Sequence, residues 1–210
     1  MAAGSAGADR AFWQPPLYPC VLAVMVRALP DSMLALRLVH GVVLGAAAAG
    51  LLVLCAARFL GTRGATAAGI LFSLYGPWVF YASQLLPAGL ATVLGLALLL
   101  SVLRLNERPS LPQAAAVGVL LGLATLTVPT ILTALPLVLI AVPVFLRRAG
   151  RCPLAGAALC LAGMAVCILP VTIRNRAVSR HWVAVSTNAG INMYLGNNPH
   201  RADTLAIRPG

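Results

Sequence analysis

Residues 65–103 constrain the fold more than any other stretch, because none of these 39 positions carries a charged side chain. One helical crossing of a bilayer needs only about 20 apolar residues, so the stretch is long enough for two. We expect two transmembrane helices joined by a tight turn near residues 81–84. The uncharged residues 112–146 divide in the same way, with a turn expected near residues 128–130.

Three shorter apolar segments complete the pattern. Residues 32–60 and 152–171 each predict one further span. Residues 17–29, closed by Pro30, are too short to cross a bilayer at about 1.5 Å per residue, so they predict a helix that lies in the membrane interface. The predicted fold is therefore all-α, a polytopic membrane helix bundle of about six spans.

The chain divides into three predicted parts. Residues 1–31 form an outer-face loop and the interfacial helix, residues 32–173 form the transmembrane bundle, and residues 174–210 form an irregular polar loop. Within the bundle, Gly41-x-x-x-Gly45 and Gly118-x-x-x-Gly122 place two small residues on one helical face. Such pairs let two helices approach closely, so we expect both to be packing features.

Composition excludes several classes of protein. With 60% hydrophobic residues, 9% charged residues and a mean hydropathy of +0.94, the chain is far outside the range of a soluble domain. The formal charge of +11 would ordinarily point to nucleic acid, but the arginines lie in short gaps between apolar runs, and we expect no nucleic-acid partner. The scattered His40, His181 and His200 predict no metal site. Phosphate-loop, dinucleotide-binding and hydrolase motifs are absent from the sequence.

The distribution of arginine predicts the orientation of the spans. Charged residues fall in the first, third and fifth connections: Arg58, Arg63, Arg104, Glu107, Arg108, Arg147, Arg148 and Arg151. The second and fourth connections carry none. Arginine-rich short loops are cytoplasmic, so an even number of spans puts both ends of this chain on the non-cytoplasmic side of the cell membrane. The proline- and aromatic-rich residues 12–19 and the polar residues 174–210 would then share one face.

The polar residues beyond the last span suit a phosphate and a sugar. Arg174 and Arg176 emerge at the membrane surface, where a guanidinium can bind a phosphate through two hydrogen bonds. The asparagine-rich residues 188–200 follow, with amides that can hydrogen-bond sugar hydroxyls. A solvated surface loop would have the same composition.

The ordered set of motifs resembles the family 39 glycosyltransferases, polytopic enzymes of the GT-C type that include protein mannosyltransferases and the lipid A aminoarabinose transferase. The likeness covers almost the whole chain. It is carried by Phe12…Pro15-Pro16-Leu17-Tyr18-Pro19, Arg37-Leu38-Val39, Arg58-Phe59-Leu60-Gly61, Leu74-Tyr75-Gly76-Pro77…Phe80-Tyr81…Leu85-Leu86-Pro87, Gly122-Leu123-Ala124…Pro129 and Pro170…Ile173-Arg174-Asn175…Gly190-Ile191-Asn192…Gly196-Asn197-Asn198-Pro199.

The resemblance implies transfer of a sugar from a polyprenyl-phosphate carrier to a protein, lipid or glycan acceptor at the outer face of the membrane. An acidic residue acts in such enzymes as base or as ligand of a divalent metal, and basic residues stabilise the departing lipid phosphate. We expect Arg174, and secondarily Arg37, to bind that phosphate. The expected sugar and acceptor pocket is lined by Gln14, Tyr18, Gln84, Asn188, Asn192, Asn197 and Asn198.

The chain departs from the family pattern at its acids. The family begins with one more span and an acidic loop motif, which we expect to lie upstream of Met1, and Asp9 is the only acid near the corresponding position here. Gln84 stands where relatives often carry Glu, and Val128 where they often carry Arg. With the chain ending at Gly210 in the polar loop, these departures predict an internal fragment of a longer enzyme that is inactive alone.

Two other classes of function remain open from the sequence. A transporter or flippase for a lipid-linked or small polar substrate predicts internal repeats and charge at mid-membrane, whereas the ionisable Arg37 and His40 lie near one end of their span. A non-catalytic membrane scaffold would use the asparagine-rich segment to bind a partner protein.

Overall fold

The computed structural model describes residues 10–29, 32–188, 194 and 197. Every regular element in this part of the chain is a helix, which confirms the predicted all-α membrane bundle. The elements are α1 (Leu17–Ala28), α2 (Met33–Ser73), α3 (Gly76–Ser83), α4 (Pro87–Glu107), α5 (Leu111–Thr127), a 3₁₀ helix (Pro129–Ala134), α6 (Leu135–Arg148) and α7 (Pro153–Ser179).

Four helical segments of the described chain are long and apolar enough to cross a bilayer. They are α2, α4, the 3₁₀ helix together with α6, and α7. The 12 residues of α1 and the 17 of α5 are apolar but shorter. The chain is therefore a multi-pass membrane protein.

Gly61 divides α2 into two antiparallel halves. Its φ of 66° and ψ of 179° are non-helical and favour glycine, because a Cβ is strained at this φ. A Cβ placed on Gly69 would contact Val53 and would lie 3.9 Å from the carbonyl oxygen of Ala49. Twenty residues of straight helix would span about 30 Å, so the chain must fold back on itself at Gly61. The predicted change of span between residues 60 and 65 is confirmed.

The other predicted turns are also present, and each coincides with a proline. Gln84 and Leu86 are extended between α3 and α4, and Val128 is extended between α5 and the 3₁₀ helix. Proline follows Leu86 and Val128 and disfavours helical geometry at both residues. One further break, before Pro77 at the start of α3, was not predicted.

The helices α5 and α7 make the closest contact in the bundle. A Cβ on Gly118 would contact the carbonyl oxygen of Cys160, and one on Gly122 would lie 3.0 Å from the carbonyl oxygen of Met164. The predicted role of Gly118 and Gly122 in close packing is confirmed. Because both contacts advance in the same direction, α5 and α7 run parallel and both begin at the arginine-rich end.

Apolar side chains lie both inside the bundle and on its surface. The core joins α4, α5, α6 and α7 through Leu98, Leu105, Ala114, Val117, Leu121, Val138, Val142, Leu146 and Cys160. On the outside, Leu71, Leu137 and Val166 are each at least 70% exposed. A helix that is apolar on all sides is suited to lipid, because lipid surrounds the outward side chains with apolar groups and the core does the same for the inward ones.

The last helix continues beyond its predicted end. The sequence places the end of the final span at Val171, but α7 extends through Pro170 to Ser179. Arg174, Asn175 and Arg176 therefore lie on the last two turns of a helix. This extension projects their side chains from a rigid element, and it places Asn175 in a fully buried position.

Candidate functional site

One end of the bundle brings together segments from the whole described chain. There the residues before α1 meet the α3–α4 connection, the break after α5 and the segment that follows α7. They enclose a cavity of about 510 Å³, here called the end cavity. Its lining consists of Gln14, Pro15, Leu86, Pro87, Thr127, Val128, Pro129, Thr130 and Asn188.

Asn175 holds the two outer segments of the end cavity together. Its Oδ1 accepts a hydrogen bond of 3.1 Å from the backbone N–H of Phe12. Its Nδ2 donates to the carbonyl oxygens of Val183 at 3.2 Å and Val185 at 3.1 Å. A buried side-chain amide needs hydrogen-bond partners for its oxygen and its nitrogen. The Asn175 side chain finds them in three backbone groups.

Backbone pairing extends this link up to the end cavity. The N–H of Thr187 donates to the carbonyl oxygen of Phe12 at 2.9 Å, and the N–H of Asn188 donates to that of Trp13 at 3.2 Å. Gln14 and Asn188, both predicted from the sequence to line a pocket, are thereby brought to the same cavity.

Arg174 contacts the segment before α1. Its Nη1 donates to the carbonyl oxygen of Arg10 at 2.9 Å and lies 3.4 Å from Oδ1 of Asn175. The guanidinium carbon lies 4.0 Å from the centre of the Phe12 ring, a cation–π contact. The side chain expected to bind a lipid phosphate thus contacts the segment that leads to Gln14 and Pro15 in the wall of the end cavity.

Tyr18 and His40 link α1 to α2 and α3. His40 Nδ1 lies 3.0 Å from the carbonyl oxygen of Ala82, which can only accept, so Nδ1 carries the proton. In this tautomer, Nε2 is the acceptor for the Tyr18 hydroxyl at 3.3 Å. Burial raises the pKa of Tyr18 to about 12, which keeps this donor protonated at physiological pH. Tyr18 is buried and lies outside the lining of the end cavity.

A second cavity, the lateral groove, lies between α2 and α3. It has a volume of about 340 Å³ and is mainly apolar. Its lining consists of Arg37, Leu38, Gly41, Val42, Gly45, Ala46, Ser73, Trp78, Val79, Ala82 and Ser83. Leu38, Val42 and Val79 are more than half exposed, so the groove opens to the side of the bundle, where lipid lies.

Arg37 lies at the end of the lateral groove that is nearest the end cavity. Its side chain is exposed, and it makes no hydrogen bond or ion pair within the described residues. Residues 37 to 46 cover about 14 Å of helix, so the groove continues from this arginine toward the middle of the membrane. The charge at the surface and the apolar lateral groove below it are complementary to an amphipathic ligand.

Two further predicted site residues lie outside the linings of both cavities. Gln84 lies between Ser83 of the lateral groove and Leu86 of the end cavity, and its Nε2 is 3.5 Å from Oγ of Ser83. Asn197 is exposed. Gln84 is thus placed next to the predicted pocket without forming part of its wall.

The remaining predictions for the site concern parts of the chain that the structure leaves undescribed. Asp9, Asn192 and Asn198 lie outside the described residues, and so do Met1 and Gly210. The acidic motif expected upstream of Met1 and the role suggested for Asp9 therefore stay predictions.

Acidic side chains are placed away from this end wherever they are described. Glu107 is the one acid within the described ranges, and its carboxylate pairs with Arg58 Nε at 3.0 Å at the opposite end of the bundle. No group of three or more His, Cys, Asp or Glu side chains in those ranges is placed to hold a metal ion. The described part of the site therefore offers amides, hydroxyls and guanidinium groups.

Comparisons of the chain with protein-family models, curated proteins and solved structures found no match.

Two residues that organise the site were not predicted from the sequence, Asn175 and His40. His40 is a polar side chain between Val39 and Gly41 on a helix, and Asn175 lies between two arginines directly after the last apolar run. A polar side chain on such a helix must find buried partners or face water. The sequence thus indicates that both side chains need polar partners, but it does not identify partners that lie far away in the chain.

Proposed function

We propose that this protein is a membrane glycosyltransferase component that takes a sugar from a polyprenyl-phosphate carrier and passes it to a protein, lipid or glycan acceptor at the outer face of the membrane. The observation that carries the proposal is the adjacency of two different cavities at one end of the bundle. The arginine-headed apolar groove suits the carrier, and the amide- and hydroxyl-lined end cavity suits the sugar. The motif resemblance to family 39 glycosyltransferases supports the same activity.

The lateral groove fits the lipid part of the donor. Its apolar wall opens toward the bilayer, so a polyprenyl chain can enter from the side without leaving an apolar environment. Arg37 stands where the phosphate of such a lipid would meet the membrane surface, and its planar guanidinium can bind two phosphate oxygens. This geometry favours Arg37 over Arg174 as the primary phosphate ligand, because Arg174 is not among the residues that line the groove.

The end cavity fits the sugar and the acceptor. Gln14 and Asn188 contribute amides, and Thr127 and Thr130 contribute hydroxyls, beside the apolar Leu86. Amide and hydroxyl groups hydrogen-bond sugar hydroxyls, and the adjacent apolar surface can cover the face of a sugar ring. Ser83 of the groove and Leu86 of the cavity are three residues apart, so at most about 11 Å of chain separates the two sites.

The transfer itself requires a base for the acceptor hydroxyl. We propose no described residue for that role, because the described acid, Glu107, lies at the other end of the bundle. Asp9 directly precedes the described residues in the sequence and remains the acid proposed from the sequence. Arg174 contributes by binding Arg10 and Phe12, which precede the lining residues Gln14 and Pro15 in the chain.

Replacing Arg37 by glutamine should weaken binding of polyprenyl phosphate by about tenfold or more, since a charge-assisted hydrogen bond is lost. Trp78 lines the groove, so its fluorescence reports occupancy once Trp13 and Trp182, the other two tryptophans, are replaced by phenylalanine. Arg27→Gln is the matched control, because Arg27 is an exposed arginine that does not line the groove. Polyprenol, which lacks the phosphate, should show no dependence on Arg37.

Transfer of a labelled sugar from polyprenyl phosphate by the purified protein then separates the enzyme from the other classes. Loss of transfer in Asn188→Ala, with lipid binding retained, supports the assignment of the end cavity. Binding without transfer by the unmodified protein would instead favour a scaffold or a flippase. Equal affinity of Arg37→Gln, Arg27→Gln and the unmodified protein for the phosphate lipid would refute the donor site.

The proposed orientation predicts a simple labelling result. Cys152 is exposed at the arginine-rich end, and His181 is exposed just beyond α7 at the other end. In intact cells, a membrane-impermeant maleimide should label a His181→Cys variant that lacks native cysteines and should not label a variant that retains only Cys152. Disrupting the membrane should make Cys152 reactive as a control. Labelling of Cys152 in intact cells would reverse the orientation and remove the proposed outer-face site.

A further inference from the structure

A third cavity lies at the opposite end of the bundle and differs in character from the other two. It encloses about 520 Å³ where α2 reverses and α4 connects to α5. Its lining is entirely polar or charged: Arg58, Arg104, Glu107, Arg108, Ser110 and Gln113. The proposed transferase site makes no use of these residues.

Arg58, which lines this cavity, has a guanidinium nitrogen without a hydrogen-bond partner among the described residues. Its Nε pairs with a Glu107 carboxylate oxygen at 3.0 Å, yet its Nη1 is buried and has no hydrogen-bond partner within the described residues. It is the one buried side-chain nitrogen or oxygen in that part of the chain left in this state. A buried charged donor without an acceptor is unfavourable, and because Arg58 lines the cavity, an anion bound there would offset part of this cost through its charge.

The surrounding groups favour an anion. Three guanidinium groups and one carboxylate give the lining a net charge of about +2, close to the opposite of a phosphomonoester at neutral pH. The N-terminus of α5 adds a favourable dipole, because Ser110 caps this helix and also lines the cavity.

The frame around the cavity is fixed by hydrogen bonds. Nε2 of Gln113 donates to both the carbonyl oxygen and the hydroxyl of the buried Ser101, at 3.2 and 2.8 Å, and so ties the start of α5 to α4. Gly61 turns α2 back immediately after Arg58. The cavity is therefore built by three helices, of which α4 and α5 are joined by Gln113 and α2 and α4 by the Arg58–Glu107 pair.

We propose that this cavity binds a phosphomonoester group, with Arg58, Arg104 and Arg108 as its ligands. The group can belong to a lipid headgroup in the adjacent leaflet or to a free phosphate compound, since both offer the same oxygens and charge. The proposal is separate from the topological role of loop arginines, which requires positive charge but no particular geometry.

The test uses the whole purified chain in phosphatidylcholine nanodiscs, with and without phosphatidic acid as a minor component. Native mass spectrometry counts retained phosphatidic acid, and thermal unfolding in discs without it measures the effect of inorganic phosphate and glycerol phosphate. Preferential retention of phosphatidic acid identifies a lipid ligand. A raised midpoint with the soluble phosphates alone identifies a free one.

Arg108→Gln should reduce the binding of phosphate by about tenfold or more, since one charge-assisted bond is removed. Arg108 is exposed, so this change should leave folding intact. Arg58→Lys keeps the charge but loses the planar fork, and it should also weaken binding. The matched control is Arg151→Gln, an exposed arginine at the same end that does not line the cavity.

Two results would overturn the proposal. One is equal retention of phosphatidic acid and phosphatidylcholine together with no response to soluble phosphates. The other is an equal loss of binding in Arg151→Gln and Arg108→Gln, which would show a general attraction of the arginine-rich surface. Neither result bears on the lateral groove, because that site lies at the other end of the bundle.

Discussion

Replacing Gly118 by alanine should lower the midpoint of thermal unfolding more than a single methyl group ordinarily does. A Cβ at this position would contact the carbonyl oxygen of Cys160 and lie 2.7 Å from its carbonyl carbon. These are backbone atoms of α7, so no side-chain rotation relieves the overlap, and the two helices must move apart. Overpacking of this kind costs about 3 kcal/mol. For a chain of this size that corresponds to a decrease of about 6–12 °C.

Gly95→Ala is the matched control for this experiment. Gly95 also lies inside a transmembrane helix, α4, but a Cβ there meets no atom within 4 Å. Alanine has the higher helix propensity, so this variant should unfold at an equal or slightly higher temperature. Both midpoints are measured in the same nanodisc or detergent. Equal midpoints for Gly118→Ala and Gly95→Ala would show that α5 and α7 do not approach as closely as described.

Replacing Asn175 by alanine should detach the segment before α1 from the segment after α7. The change leaves the N–H of Phe12 and the carbonyl oxygens of Val183 and Val185 without their side-chain partner. Unpaired groups cost about 1–3 kcal/mol each when buried, and partial rehydration at this end reduces the sum to roughly 2–4 kcal/mol. Hydrogen exchange at the amides of Thr187 and Asn188, which donate to Phe12 and Trp13, should accelerate strongly.

Asn106→Ala provides the comparison for Asn175→Ala. Asn106 is exposed near the end of α4 and makes no side-chain hydrogen bond within the described residues. Its replacement should leave both the unfolding midpoint and the exchange rates at Thr187 and Asn188 unchanged. Slow exchange at those two amides in Asn175→Ala would mean that the backbone pairing holds the segments without the buried amide.

The helices of this bundle follow from patterns that are local in the sequence. Uncharged runs longer than one crossing must break, and the breaks fall at Gln84 and Val128, where proline or a polar residue weakens the helix. The reversal at Gly61 falls between Arg58 and Arg63, which need to remain near water. Length, charge and proline therefore specify the spans and their connections.

The site was less predictable because it depends on contacts between distant residues. The sequence predicts that Gln14 and Asn188 lie at one end of the bundle, and both line the end cavity. It does not show that Asn175 would be buried, because the sequence through which α7 extends to Ser179 is polar. Nor does it show that Arg174 would lie over Phe12, since a guanidinium suits an aromatic ring as well as a phosphate.

The hydrogen bond between Phe12 and Asn175 joins residues 163 positions apart. A ribosome adds about 5–20 residues each second, so roughly 10–30 s pass between synthesis of the first partner and of the second. Throughout that interval the aromatic and proline-rich segment has no native surface to bind, while the earlier helices are already being inserted. Closure of this end therefore cannot precede synthesis of α7, and until then Phe12 and Trp13 can be covered only by other surfaces such as the lipid interface.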